Sequence, residues 1–369
     1  MIQNQTETAR LCPGSVFVVA AMVIFFIILA ASFAPFSGWR WPLVSILEFV
    51  TYPLPHYVSF LDNLLNVLIY VPYAAVLSRL VRSVKWAWIW VLLVVCFTSF
   101  FVEVMQNFLP NRIASNLDIL CNVAGGLLGL ILYHLNVLKY PVRWIRRYQA
   151  AHFADVDAAD YAMILILMWF VFQVNPTLPW LGLVFLPAGE MPLSPTLIQN
   201  PALDFSVLEA LGAFLNLLSI LLFLMCFLKN RAEQFRAFVL ILCGSVAVKL
   251  GLALSFYAFG HELRQEWLSD NASVGACLAV LAAWAVRRFP FYAQAVLAEC
   301  ALCGLFFVQS HKPFFLSAKE TLYRFGLAGS HFETLYAGLT QLQTVWPWCA
   351  ALCLMVYGLQ RAWIYLDSD

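Results

Sequence analysis

The sequence predicts an all-α fold: a polytopic membrane protein of about ten transmembrane helices. Of its 369 residues, 63% are hydrophobic and 11% are charged, whereas soluble domains average about 45–50% apolar and about 25% charged residues. Apolar runs of the ~20 residues needed to cross a bilayer recur along the chain. The net charge of +1 comes without a basic stretch of the kind that binds nucleic acid, so a nucleic-acid partner is not expected.

The apolar runs define ten predicted spans, of which the fifth and the eighth are short. The first span begins near a single basic residue, Arg10, and is longer than the apolar segment of a signal peptide, so we interpret it as a retained helix. The ten spans cover approximately residues 16–34, 62–80, 86–108, 118–136, 158–175, 207–228, 237–257, 270–286, 291–310 and 346–366.

The basic residues indicate which loops face the cytoplasm. If both termini are cytoplasmic, most of the 21 Lys and Arg residues fall in the inner loops, as the positive-inside rule requires. The longest inner loop, 137–157, carries four basic residues followed by acidic ones. This pattern predicts a four-helix membrane domain at 1–138, a cytoplasmic basic and acidic linker at 139–160 and a second helical membrane domain at 161–369.

The two predicted halves share a pattern. An apolar outer loop rich in proline precedes a helix that opens near Asp62 in one half and near Asp204 in the other, and Asp118 and Asp270 each open a later helix. The order and direction of these features predict a parallel repeat of four plus four helices, followed by two C-terminal helices. The alternative is a chance resemblance between apolar segments.

Three pairs of polar side chains lie in or beside the apolar runs, all near the outer face. The members of each pair are three or four residues apart, so they share a helix face. A charge at a helix centre costs about 2.5–3.5 kcal/mol on insertion scales, so ionisable residues in such segments are candidates for a functional site. The pairs are Asp62 with Asn66, Glu103 with Gln106, and Asp118 with Asn122.

Arg112 lies in the short turn between the third and fourth spans. A short turn makes these helices antiparallel neighbours, which allows Glu103, Arg112 and Asp118 to meet. Because a guanidinium stays protonated, Arg112 can balance both carboxylates.

Small residues repeat along the fourth span and let another helix approach closely. We expect this helix to be the second span, packed against the face of Asp118 and Asn122. The alternative interpretation is a buried polar network that only maintains the helix register. The small residues are Gly125, Gly126 and Gly129.

The remaining ionisable and sulfur-containing residues give weaker signals. Lys249 lies within the seventh span and could pair with an acidic residue of the second half. Cys300 and Cys303 form half of a metal or redox motif, but no second pair or histidine cluster accompanies them in that segment. We therefore predict no metal site and no cofactor.

The polar pattern consists of Asp62-Asn63-x-x-Asn66 with Pro72, then Ser99-x-x-x-Glu103-x-x-Gln106, then Arg112, then Asp118-x-x-x-Asn122-x-x-Gly125-Gly126-x-x-Gly129. In order and spacing it resembles the VanZ-like family over about residues 16–136. Departures are mild: Tyr70 and Tyr73 stand where the family more often has smaller residues. The rest of the chain shows no comparable family pattern.

The resemblance implies a bacterial protein of the inner (cytoplasmic) membrane. The founding member of the family is associated with resistance to teicoplanin, a glycopeptide that binds cell-wall precursors. The resemblance therefore implies a role in the cell envelope and in antibiotic resistance, without supplying a biochemical mechanism.

Three functions remain open at this stage. The first is a protein that binds an anionic lipid-linked or cell-wall-related molecule at the outer leaflet, where Arg112 would contact phosphate or carboxylate and the amides would hydrogen-bond polar groups. The second is a membrane-embedded hydrolase or transferase with Glu103 or Asp118 as acid or base and Arg112 as the stabilising cation. The third is a transporter. The expected partners are membrane lipids and a lipid-linked envelope precursor; the oligomeric state stays open.

Overall fold

The computed structural model describes residues 14–33, 36, 38–42, 45–54, 60–110, 112–137, 139–175, 180–182, 201–258, 268–310 and 331–366. These residues form helices and no β-strand. The helices are α1 (Gly14–Phe33), α2 (Phe60–Leu80), α3 (Ala87–Gln106), α4 (Asn116–His134), α5 (Lys139–His152), α6 (Asp157–Phe172), α7 (Pro201–Phe227), α8 (Arg231–Ala258), α9 (Asp270–Val286), α10 (Phe291–Ser310) and α11 (His331–Leu366). A short 3₁₀ turn, Glu48–Thr51, precedes α2.

Eight of the described helices are long and apolar enough to cross a membrane: α1 to α4, α7, α8, α10 and α11. The prediction of an all-α polytopic membrane protein is confirmed. The predicted fifth and eighth spans correspond to α6 and α9, which have 16 and 17 residues. At a rise of 1.5 Å per residue each is about 25 Å long, a little short of the ~30 Å hydrocarbon core.

Two elements go beyond what the hydropathy pattern predicts. The first part of the predicted linker at 139–160 forms α5, a 14-residue helix. The last helix starts at His331, well before the predicted residue 346, and continues through Pro347. Its first turns carry polar residues, which is why hydropathy alone placed its start too late.

The chain divides into two compact units. Among the described residues, the N-terminal unit holds those from 14 to 147 and from 331 to 339, and the C-terminal unit holds those from 148 to 310 and from 340 to 366. Helix α11 therefore contributes residues to both units.

In the N-terminal unit, α2 and α4 pack together more extensively than any other pair of its described helices. A Cβ atom added to Gly125 would overlap the carbonyl oxygen of Val67, and one added to Gly129 would overlap that of Val71. The contacts advance in the same direction along both helices, so α2 and α4 are parallel. Close backbone approach of this kind needs glycine at the contact.

In the C-terminal unit, α7 is the central helix, and α9 and α10 pack against it. Gly275 of α9 meets the carbonyl of Ala210 on α7, again in a parallel pair. Asp204 and Asp270 accordingly lie in the first turns of two parallel helices, at the same end of the unit. This geometry is compatible with the parallel repeat, which stays a prediction.

Candidate functional site

The packing of α3 against α4 places the polar pairs at one level of the N-terminal unit. A Cβ atom on Gly126 would lie 2.7 Å from Cγ1 of Val95, and the side-chain amide of Asn122 donates to Ser99 Oγ at 2.9 Å. These two contacts give an antiparallel register. Continuing it by one turn brings Glu103, near the end of α3, level with Asp118, in the first turn of α4.

Glu103 lies at the centre of this polar group. Its side chain is 2% exposed, and Oε2 accepts the backbone N–H of Ser115 at 2.8 Å. Ser115 immediately precedes α4, so the carboxylate satisfies a backbone donor at the start of that helix, where a negative charge is favourable. Asp118, also buried, and Arg112 both lie close enough to interact electrostatically with Glu103.

Arg112 also connects the group to the end of α1. Its Nη2 donates to the carbonyl oxygen of Ala31 at 3.1 Å, and the Gln106 amide donates to that of Ser32 at 3.5 Å. Ala31 and Ser32 lie in the last turn of α1, where carbonyl groups lack helical partners and a cation is favourable. The turn that carries Arg112 is therefore held against α1 as well as between α3 and α4.

The hydroxyl groups of Ser99 and Thr98 and two tyrosine side chains extend the polar group toward the middle of the helices. Ser99 accepts the hydrogen bond from Asn122, and the Tyr73 hydroxyl lies 3.4 Å from Thr98 Oγ1. The Tyr70 hydroxyl lies near Ser99 and Glu103. The sequence prediction did not include these tyrosines in the site, although Tyr70 follows Asn66 by one helical turn and Ser99 precedes Glu103 by one turn.

The other predicted residues lie on the same end of the unit. Asn66 is half-buried on the second turn of α2. Asp62 lies in the first turn of α2, and its side chain lies outside the described part of the structure. Among the residues that the structure describes, no group of three or more metal-ligating side chains occurs.

Residues 38–42 and 45–54 lie against this end of the unit. The Asn107 amide donates to the carbonyl of Ile46 at 3.2 Å, and that of Asn116 donates to Tyr52 at 2.6 Å. Trp41 packs edge-on against Phe108 yet is 77% exposed, and Ile113, next to Arg112, is 85% exposed. Exposed apolar side chains therefore lie beside the buried polar group.

The order of polar residues on α2, α3, the turn and α4 has a counterpart among known protein families. Residues 17–139 match the VanZ/LLP1 family model. The match confirms the resemblance seen in the sequence and covers α1 to α4, about a third of the chain. No curated protein and no solved structure shows a significant match. The VanZ/LLP1 region thus contains the whole candidate site.

Lys249, the ionisable residue predicted within the seventh span, lies in the C-terminal unit. It is 4% exposed, and its Nζ donates to the carbonyl oxygen of Asn175 at 2.6 Å. Asn175 follows the end of α6, and its amide donates to Thr340 on α11 at 2.9 Å. Lys249 thus joins α8 to the end of α6. Elsewhere in the same unit, the side-chain amide of Asn271 on α9 donates to the carboxylate of Glu209 on α7 at 3.0 Å.

Proposed function

We propose that the VanZ/LLP1 region binds an anionic, lipid-linked molecule of the cell envelope at the outer leaflet, and that this binding changes susceptibility to glycopeptide-type antibiotics. Arg112 provides the charge for a phosphate or carboxylate, and the amides of Gln106 and Asn122 provide hydrogen bonds. The exposed Trp41 and Ile113 would contact the lipid part of the same molecule.

The observation that carries the proposal is a buried polar atom with no hydrogen-bond partner among the described residues, the carbonyl oxygen of the Asn122 side chain. Such an atom costs about 1–3 kcal/mol. A network that only maintained helix register would be expected to satisfy its members, whereas a bound polar molecule would supply the missing partner.

The outer-leaflet location follows from charge. The site lies at the end of α2 and α4 where these helices begin, and the basic residues are concentrated where they end. The positive-inside rule assigns the basic end to the cytoplasm.

A second candidate is hydrolysis or group transfer at the same site. It is favoured by two buried carboxylates, Glu103 and Asp118, of which Glu103 lies within electrostatic range of both Asp118 and Arg112. One carboxyl group would act as a general acid or base, while Arg112 would stabilise developing negative charge.

The test is mass spectrometry of the lipids that copurify with the full-length protein from cell membranes. We expect an anionic, lipid-linked species to be retained by the wild-type protein and reduced at least tenfold by Arg112→Ala. Arg112→Lys keeps the positive charge but lacks the planar guanidinium group with its paired N–H donors. This variant should fold normally and retain an intermediate amount of the lipid-linked species. Arg231→Ala, at an exposed arginine in the C-terminal unit, should retain the wild-type amount.

Equal retention by all four proteins would contradict binding at Arg112.

The second candidate, hydrolysis or group transfer, is tested by incubating the purified protein with the retained species. Conversion to a smaller product that is lost in Glu103→Gln would identify an enzyme; retention without conversion would favour a binding protein.

A further inference from the structure

The charges of the N-terminal unit are divided between its two ends. Between residues 14 and 147 the acidic residues are Glu48, Asp62, Glu103 and Asp118, and all four belong to the end that carries the candidate site. At the other end, where α2 and α4 finish and α3 begins, the chain carries basic residues without an acidic one. The basic residues with described side chains there are Arg79, Arg82, Lys85, Arg143, Arg146 and Arg147.

Two of these arginines share one aromatic ring. The guanidinium carbon of Arg79 lies 5.1 Å from the centre of the Phe17 ring, and that of Arg146 lies 5.2 Å from it. Both distances are within the range of cation–π contacts. Phe17 on α1 thereby holds the last turn of α2 and helix α5 close together.

The same contact brings like charges together. Arg79 interacts electrostatically with both Arg82 and Arg146, and neither Arg79 nor Arg146 forms an ion pair with a described carboxylate. Repulsion between cations makes such a cluster unfavourable unless an anion lies among them. Guanidinium groups bind phosphate oxygens in pairs of hydrogen bonds, so phosphate is the anion that fits best.

Helix α5 has the form of a helix that lies in a membrane surface. Arg143, Arg146 and Arg147 are three or four residues apart and share one face. Arg147 is seven residues from Tyr140 and three from Trp144, so these rings adjoin the cationic face; Tyr140 is 76% exposed and Trp144 is 65% exposed. Exposed aromatic rings beside cations are typical of the boundary between lipid headgroups and acyl chains.

We propose that Arg79, Arg146 and Phe17 form the centre of a binding site for the phosphate of an anionic phospholipid headgroup, on the cytoplasmic side of the membrane. The basic residues of α5 and of the turn between α2 and α3 surround it, and Tyr140 and Trp144 insert beside the headgroup. A lipid is the occupant, rather than a soluble phosphate compound, because those exposed rings need an apolar phase next to the cations.

The test uses the full-length protein in detergent, with thermal unfolding measured while phosphatidylglycerol or phosphatidylcholine is added. We expect phosphatidylglycerol to raise the midpoint temperature and phosphatidylcholine to have little effect. Basic residues near an anionic surface contribute about 1 kcal/mol each, so Arg79→Gln with Arg146→Gln should weaken the apparent affinity about fivefold per residue. Arg40→Gln is the matched control, because Arg40 is exposed and lies at the opposite end of the unit.

Three outcomes would overturn the proposal: equal stabilisation of the wild-type protein by the two lipids, an unchanged response in the double variant, or the same stabilisation by glycerol phosphate at equal concentration. If the double variant does not fold, Arg143→Gln with Arg147→Gln replaces it, since both side chains are exposed. The comparison of the two lipids with the wild-type protein decides the charge requirement in either case.

Discussion

At the scale of single residues, Glu103 has a structural task and, in the proposed site, a chemical one. It accepts the Ser115 N–H, which orients the start of α4, and it lies near Asp118 and Arg112. The amide of glutamine keeps a carbonyl oxygen for the structural task but removes the charge. Substitutions at this position can therefore separate folding from function.

The first prediction concerns charge at the site. Glu103→Gln and Asp118→Asn should each accumulate normally in the membrane, because shape and hydrogen-bonding capacity are largely kept. Each should lower activity in a glycopeptide susceptibility assay to the level of cells that lack the protein. The control is Glu299→Gln, a half-buried carboxylate on α10 in the other unit, which should act as wild type. Wild-type activity of both site variants would leave the carboxylates with a structural role alone.

The second prediction concerns stability. Glu103→Leu removes the acceptor of the Ser115 N–H, which Glu103→Gln keeps. Loss of a hydrogen bond to a charged group costs about 1.5–3 kcal/mol, so the midpoint of thermal unfolding should fall clearly below that of Glu103→Gln. Equal midpoints for the two variants would show that the Ser115 contact contributes little.

At the scale of the elements, the α2–α4 contact sets the position of every residue of the site. Three glycines of α4 fit against Val67, Val71 and Val95. Because the side-chain pairs follow from this register, a change in the separation of the helices would move Asp118 and Asn122 relative to Glu103.

The third prediction follows from that contact. Gly125→Ala should destabilise the protein by about 1–3 kcal/mol, the usual cost of overpacking, because the added carbon overlaps the Val67 carbonyl. Gly358→Ala on α11 is the matched control, since its Cβ would meet no atom within 4 Å, and alanine favours a helix over glycine. Thermal unfolding of both variants measures the difference. A Gly125→Ala protein as stable as the control would refute close backbone packing at this position.

Much of the helical content was predictable because burial in lipid imposes a long apolar run on each span. The polar pairs were predictable because charges within such runs are costly and therefore visible. The residues at 139–152, the first part of the predicted linker, form a helix that hydropathy does not reveal, since their polarity is mixed and they include no long apolar run. The contacts of Tyr70 and Tyr73 depend on the register between helices, which side-chain packing determines and periodicity does not.

At the scale of the whole molecule, the distribution of charge predicts the direction in which the chain crosses the membrane. The loops predicted to face the cytoplasm contain most of the 21 basic residues, and the segment 176–206 contains none. Moving such charges across the bilayer during insertion is unfavourable, so the bias predicts the orientation of successive helices.

The last prediction is that residues near 145 face the cytoplasm and residues near 190 face the outside; the latter lie beyond the described residues and are assigned from sequence. Truncated proteins ending at these positions, fused to alkaline phosphatase or to green fluorescent protein, should be phosphatase-active only after 190 and fluorescent only after 145. Phosphatase activity after 145 would reverse the orientation. The buried carboxylates would then open toward the cytoplasm, and neither an outer-leaflet ligand at Arg112 nor a cytoplasmic headgroup site at Arg79 could stand.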